Sequence, residues 1–227
     1  MVIRAVVFDI GGVLEITGPM DFTRTWETKL GLAPDEIRSR LADMWAAGAI
    51  GGVTEAALRE ATAERLGIAT AEVDLMMADF WTQYLGVANT ELIGYVRGLR
   101  PRFRTGILSN SFVGAREREQ AAYGLESLVD DLVYSHEVGI SKPEARIYEL
   151  TCGRHGVAPG ELVFVDDLEV NVAAARSLGI HAVHYRDNTQ AIAGIEEIIA
   201  AEEGGLRPGD IAARPVTSEG GQSSVAG

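Results

Sequence analysis

Four short stretches of this 227-residue chain place reactive or anion-binding side chains directly after apolar runs. "VVFDIGG" presents Asp9 ahead of Gly11 and Gly12, and "GILSNS" presents Ser109 and Asn110. "GISKPE" brings Lys142, and "VFVDDLEVN" brings Asp166 and Asp167 with Asn171 one turn later. A carboxylate can attack an electrophile, neighbouring carboxylates hold a hard cation, and hydroxyl, amide and ammonium groups bind an anion. Each stretch alone has a plainer reading. Asp before Gly opens turns, Ser-Asn-Ser caps helices, and paired acids favour a helix N-terminus. Lysine usage argues against the plain reading of Lys142. The chain holds 18 arginines but only two lysines, Lys29 and Lys142, so a compact point charge is wanted where a planar fork will not serve.

The elements that must position these groups follow from hydrophobic periodicity. Val2 to Phe8 is a continuous β-branched and aromatic run, the pattern of a strand buried on both faces. Arg104–Leu108, Leu132–Ser135, Leu162–Val165 and Ile180–His184 read as four more strands. Helices are expected between them: one after Asn89 ending before Pro101, then Ala115–Ala122, Pro143 to about Arg154, Val170–Leu178 and Thr189–Ala201. Met20 to Leu85 is helical throughout, with Asp21, Pro34–Asp35, Thr54 and Thr70 as start signals. The fold class expected is α/β, a doubly wound parallel sheet with an inserted helical segment. Ligands of such sheets bind beyond the strand carboxyl ends, which is where all four stretches fall.

The motifs "FDIGGVL", "LSNS", "SKPEARIY" and "VFVDDLEVNVAAARSLGI" resemble those of the haloacid dehalogenase (HAD) superfamily hydrolases with a helical cap. The "DD" followed by N, A and "LGI" is similar to the branch of sugar-phosphate phosphatases and the N-terminal phosphatase domain of epoxide hydrolases. The resemblance spans roughly residues 2 to 200. It implies a Rossmann-like core over 1–16 and 88–203 and a helical cap over 17–87, while the Gly, Ser and Pro without apolar periodicity beyond Gly204 are expected to form a flexible tail over 204–227. It implies that Asp9 attacks phosphorus to form an aspartyl-phosphate. Mg²⁺ would be held by Asp9, the Gly11 carbonyl and Asp167, with Asp166 assisting, while Ser109, Asn110 and Lys142 bind the transferring phosphoryl group.

One position departs from that pattern. Phosphatases of this superfamily usually carry an aspartate two residues after the nucleophile, as general acid and base, and this chain has Gly11. Glycine still supplies a carbonyl to the metal but withdraws help worth about 10²–10⁴-fold in rate. Another group can take over, Glu15 and Thr17 being nearest in sequence. The alternatives are a C–halogen hydrolase, whose leaving group departs unprotonated, and a weakly active or inactive protein that binds a phosphorylated ligand. The acid pair favours phosphoryl transfer, which needs a cation. The expectation is a Mg²⁺-dependent phosphatase of small phosphomonoesters, sugar phosphates among them.

Composition narrows the partners. A formal net charge of −13 argues against nucleic acid and anionic membrane. A single cysteine, Cys152, excludes an internal disulfide and a multi-Cys zinc site. No leader or long apolar run is evident, so a cytoplasmic monomer or homodimer is expected. His136, His155, His181 and His184 lack metal-ligand spacing, and Trp26, Trp45 and Trp81 are expected to pack the cap. The charge run "AREREQ" reads as an exposed helix face.

Overall fold

The computed structural model describes residues 2–204. The β-branched runs form a five-stranded parallel sheet from β1 (Ala5–Phe8), β4 (Arg104–Ser109), β5 (Asp131–Tyr134), β6 (Leu162–Asp166) and β7 (His181–His184). Their spatial order is β5-β4-β1-β6-β7, so the first strand is central and the chain crosses it to build both halves. A separate two-stranded antiparallel pair joins β2 (Glu15–Ile16) to β3 (Val87–Ala88). Val2 stays 40% exposed, and ladder pairing begins only at Ala5, opposite Arg104 and Leu162.

The strand period of two divides the core between the faces. Val6, Phe8, Ile107, Val163 and Val165 pack with helices α5 (Thr90–Leu99) and α11 (Asn188–Gly204). Ala5, Val7, Leu108, Val133 and Phe164 pack on the other face with α9 (Ala145–His155) and α10 (Glu169–Ser177). Cys152 is buried in this second layer.

Between β2 and β3 run four helices, α1 (Phe22–Leu30), α2 (Glu36–Ala49), α3 (Glu55–Leu66) and α4 (Thr70–Tyr84). They close around a hydrophobic cluster of their own that includes Trp26, Met76, Met77, Phe80 and Trp81. Phe112 and Ala115, from the far side of β4, join this cluster. The Phe112 ring sits 4.9 Å from Trp45 and 5.5 Å from Phe80, so the loop carrying Ser109 and Asn110 is pinned under the inserted helices.

Three local expectations are corrected. Thr70 is the first helical residue and not the cap: Glu72 accepts the Ala69 N–H at 3.0 Å and closes that end. The helix expected from Pro143 starts at Ala145, because Lys142 and Pro143 form a turn in which the Glu144 N–H donates to the Ser141 carbonyl at 2.9 Å, and the Asn110 side chain clamps the Lys142 backbone on both sides. "AREREQ" is not an exposed face. In α6 (Ala115–Tyr123), Ala115 and Glu119 lie one turn apart and both turn inward, while Arg116 and Arg118 are half-buried in ion pairs. No helix among the described residues is long and apolar enough to cross a membrane. The tail expected beyond Gly204 lies outside the described residues.

Candidate active site

Parallel registry brings the carboxyl ends of β1, β4, β5 and β6 to one edge of the sheet. Asp9 follows β1, Ser109 ends β4, and Asp166 ends β6 with Asp167 next to it. Oxygens of Asp9, Asp166 and Asp167 lie within 4.8 Å of one another. The Lys142 ammonium is wedged between two of them, 2.9 Å from Asp9 Oδ1 and 2.6 Å from Asp166 Oδ2, with its side chain fully enclosed. Its point charge also rests 5.4 Å from the centre of the Phe164 ring.

The two carboxylates meeting Lys142 are not equivalent. Asp166 is saturated: Oδ1 accepts from Leu168 N at 2.8 Å and Asn171 Nδ2 at 3.0 Å, while Oδ2 accepts from Lys142 and from Asn171 Nδ2 at 3.1 Å. Those contacts occupy the four lone-pair directions a carboxylate offers. Asp9 accepts Lys142 and the Ile10 N–H on Oδ1, and Oδ2 enters neither contact. Burial raises the Asp9 pKa to about 7; Lys142 opposes it, the Asp166 charge adds to it, and the Ile10 N–H opposes it. Asp167 is raised by burial and by Asp166. Three carboxylates raised or pressed together this way fit a hard divalent cation. Asp9 and Asp167 have oxygen to offer it, whereas Asp166 is committed to protein donors.

Asn110 is used differently from Ser109. Its Nδ2 donates to the Lys142 carbonyl and its Oδ1 accepts the Lys142 N–H, both at 2.8 Å. The amide thus fixes the backbone from which Lys142 reaches the site. Ser109 is buried and makes only a 3.4 Å contact to the Asn110 carbonyl, so its hydroxyl is weakly engaged.

The two glycines after Asp9 have different reasons to be there. Gly12 has φ +74°, and a Cβ there would meet Asp167 Oδ2 at 2.4 Å, so a side chain is excluded both by conformation and by the acid packed over it. Gly11 has ordinary φ, and beyond its own chain neighbours nothing lies within 4 Å of where its Cβ would be. Of the groups near in sequence that can replace an acid at position 11, Thr17 is exposed and Glu15 is buried.

Sequence reasoning missed a second buried group of acids beside this one. Glu119 and Glu15 are each 1% exposed, and phenols face both carboxyl groups, Tyr134 and Tyr84 at Glu119 and Tyr123 at Glu15. Burial pushes the Glu119 pKa up to about 8; Tyr134 facing the carboxyl lowers it, the charges of Glu15 and Asp9 raise it, and Tyr84 lowers it. The sole sequence signal was the four-residue spacing of Ala115 and Glu119 within an otherwise charged helix.

The hydrolase family described as haloacid dehalogenase-like hydrolase matches residues 3–179 of this chain. A D-ribitol-5-phosphate phosphatase of Bacteroides thetaiotaomicron is 28% identical over 187 residues, covering 78% of this chain and 89% of that protein. The bifunctional epoxide hydrolase 2 of Rattus norvegicus is 29% identical over 104 residues, covering 44% of this chain; the chain matches only 19% of that protein's length. Among solved structures, a HAD family enzyme of B. thetaiotaomicron in complex with magnesium and inorganic phosphate superposes with a TM-score of 0.69. It is 23% identical, and the match covers 81% of this chain and 94% of that one. On the family match, the strand-end carboxylates and the enclosed lysine, the chain belongs to the haloacid dehalogenase-like hydrolases.

Proposed function

We infer that this hydrolase is a Mg²⁺-dependent phosphatase of small phosphomonoesters, working through an aspartyl-phosphate on Asp9. The observation that carries this reading is the third carboxylate. Asp167 is packed over Gly12 beside Asp9 and Asp166, a concentration of negative charge that hydrolysis of a carbon–halogen bond has no use for. Magnesium complexes in a structural neighbour and phosphatases among the relatives support it.

In this reading Asp9, Asp167 and the Gly11 carbonyl hold the cation, which when bound offsets the charge of the phosphoryl oxygens. Asp9 is the nucleophile. Lys142 orients it, and with the Ser109 hydroxyl receives the phosphoryl group. Asp166 and Asn171 keep Lys142 in place, and Asn110 fixes the backbone that carries it. The inserted helices, residues 17–87, act as a cap over a core of 1–16 and 88–203 and select the alcohol portion of the substrate, a sugar phosphate or similar polyol phosphate.

The experiment is phosphate release from 4-nitrophenyl phosphate and a panel of sugar and polyol phosphates, with Mg²⁺ or with EDTA. Metal-dependent release that disappears in Asp9→Asn is expected. Absence of release from every substrate, or halide release from 2-haloacids without Mg²⁺, overturns the reading.

A further inference from the structure

The stretch "GAIGG", residues 48–52, closes α2 and takes no part in the chemistry above, yet the core fills the space over two of its glycines. A Cβ at Gly48 would meet the Phe112 ring at 2.5 Å. Gly51 has φ +69°, and a Cβ there would meet the His136 carbonyl oxygen at 1.9 Å. These two contacts join the inserted helices to different core segments, the loop after β4 and the turn after β5. The backbones are bonded as well: the Val113 N–H donates to the Gly48 carbonyl at 3.1 Å. At the start of α3, Glu55 accepts both amino groups of Arg118, at 2.9 and 3.1 Å. That guanidinium lies 4.0 Å from the centre of the Trp81 ring.

Ser135 stands at the centre of this contact. It is buried, and its hydroxyl works in two directions. Oγ accepts the Ser111 N–H at 2.9 Å, and the same hydroxyl donates to the Ala49 carbonyl at 2.8 Å. The Ser111 Oγ is in turn 2.6 Å from His136 Nδ1. Ser111 adjoins Asn110 and lies two residues past Ser109, so one hydroxyl ties that loop to the end of α2. The inserted helices are thereby held to the core here as well as through β2 and β3. A lid-like swing on the β2–β3 connection that carried Gly48, Ala49 and Glu55 away from the core would break these bonds.

We propose, on the phosphatase reading above, that Ser135 is a positioning residue for phosphoryl transfer. It joins the loop carrying Ser109 and Asn110 to the inserted helices as one preformed wall of the site. In this role Ser135 touches neither substrate nor cation. It acts through Ser111, whose backbone it holds, and through Ala49, whose carbonyl it satisfies. From the same loop Asn110 clamps the Lys142 backbone, so a displaced loop moves Ser109 and Lys142 together. A misplacement of about 1 Å at such a distance from the chemistry costs about 10²-fold in rate. Packing works in the same direction, since Phe112 and Ala115 belong to the hydrophobic cluster of the inserted helices. Turnover then requires no parting of those helices from this loop.

The test separates position from stability. Ser135→Ala should lower kcat by about 10–10²-fold on 4-nitrophenyl phosphate and on a polyol phosphate alike, because the phosphoryl group and not the leaving group is misplaced. Half-saturation by Mg²⁺ should move by less than about twofold, since Asp9 and Asp167 lie on other loops. A second variant, Glu55→Cys with Arg118→Cys, is bridged by a short bis-thiosulfonate reagent; Cys152 is buried and does not compete. The bridged enzyme should keep at least about half the kcat it shows once dithiothreitol has released the bridge. Three results overturn the assignment: a Ser135→Ala kcat within about threefold of wild type, a Mg²⁺ requirement that shifts along with it, or a bridged enzyme that loses more than about tenfold and recovers on reduction. Where Ser135→Ala does not fold, the bridged enzyme decides alone. A wild-type protein that releases phosphate from nothing refutes the phosphatase reading instead, so the two failures are distinguishable.

Discussion

Two groups of buried acids lie within electrostatic reach of each other and are stabilised by opposite means. At the strand ends, Asp166 meets four donors and Asp9 meets a lysine and a backbone N–H, so charge is balanced by charge. Under the inserted helices, Glu15 and Glu119 meet phenols and a single N–H, and no cation contacts them among the described residues. The first set gathers its carboxylates around one enclosed ammonium. In the second, burial raises both carboxyl groups with no cation to offset it, Glu119 to about 8.

The comparison breaks most sharply at Asp9. Asp9→Asn should abolish metal-dependent phosphate release, by about 10⁴-fold or more, with the fold intact by circular dichroism. Removing the shared cation comes next. Lys142→Met leaves two buried carboxylates facing each other and should lower unfolding free energy by about 3–5 kcal/mol in urea titrations. Lys142→Arg should not rescue it, because the enclosed pocket fits a point charge and not a fork. Asn171→Ala withdraws the amide from both Asp166 oxygens and should cost about 1–3 kcal/mol.

In the second set the sign reverses. The Glu119 pKa is higher folded than unfolded, so the stability it allows is complete below pH 4.5 and is lost as pH rises through about 8. Glu119→Gln should therefore match wild type in unfolding free energy at pH 4.5 and exceed it at pH 8.5 by several kcal/mol, at about 1.4 kcal/mol per pKa unit. The smallest effect belongs to the other lysine. Lys29 makes a 3.4 Å surface pair with Asp79, both about half-exposed, and Lys29→Arg should change stability by less than about 0.5 kcal/mol.

The sheet and the first set of acids were legible because strand periodicity and strand-end position are local. A run such as "AVVF" announces a central strand, and its register fixes where the next residue points. The scarcity of lysine marked Lys142 before any geometry was known. What could not be read was burial of charge. Glu119 sits in a helix that looks solvated from end to end, and only the packing of α4 and β5 against it reveals which of its acids is inside. Asn110 likewise read as an anion donor, and its grip on the Lys142 backbone depends on a loop 32 residues away. Residues from 22 to 84 share a hydrophobic cluster completed by Phe112 and Ala115, a grouping that periodicity hints at but cannot assign.

The paired glycines after the nucleophile carry a consequence for how such an enzyme can change over generations. Gly12 is locked, since any side chain collides with the Asp167 carboxylate and the backbone there is left-handed. Gly11 is unconstrained by its surroundings. A lineage could exchange glycine for aspartate at that position, in either direction, without repacking a neighbour. Whether the loop after Asp9 carries an acid is thus open to selection through a single residue, while the residue beside it admits no trial at all.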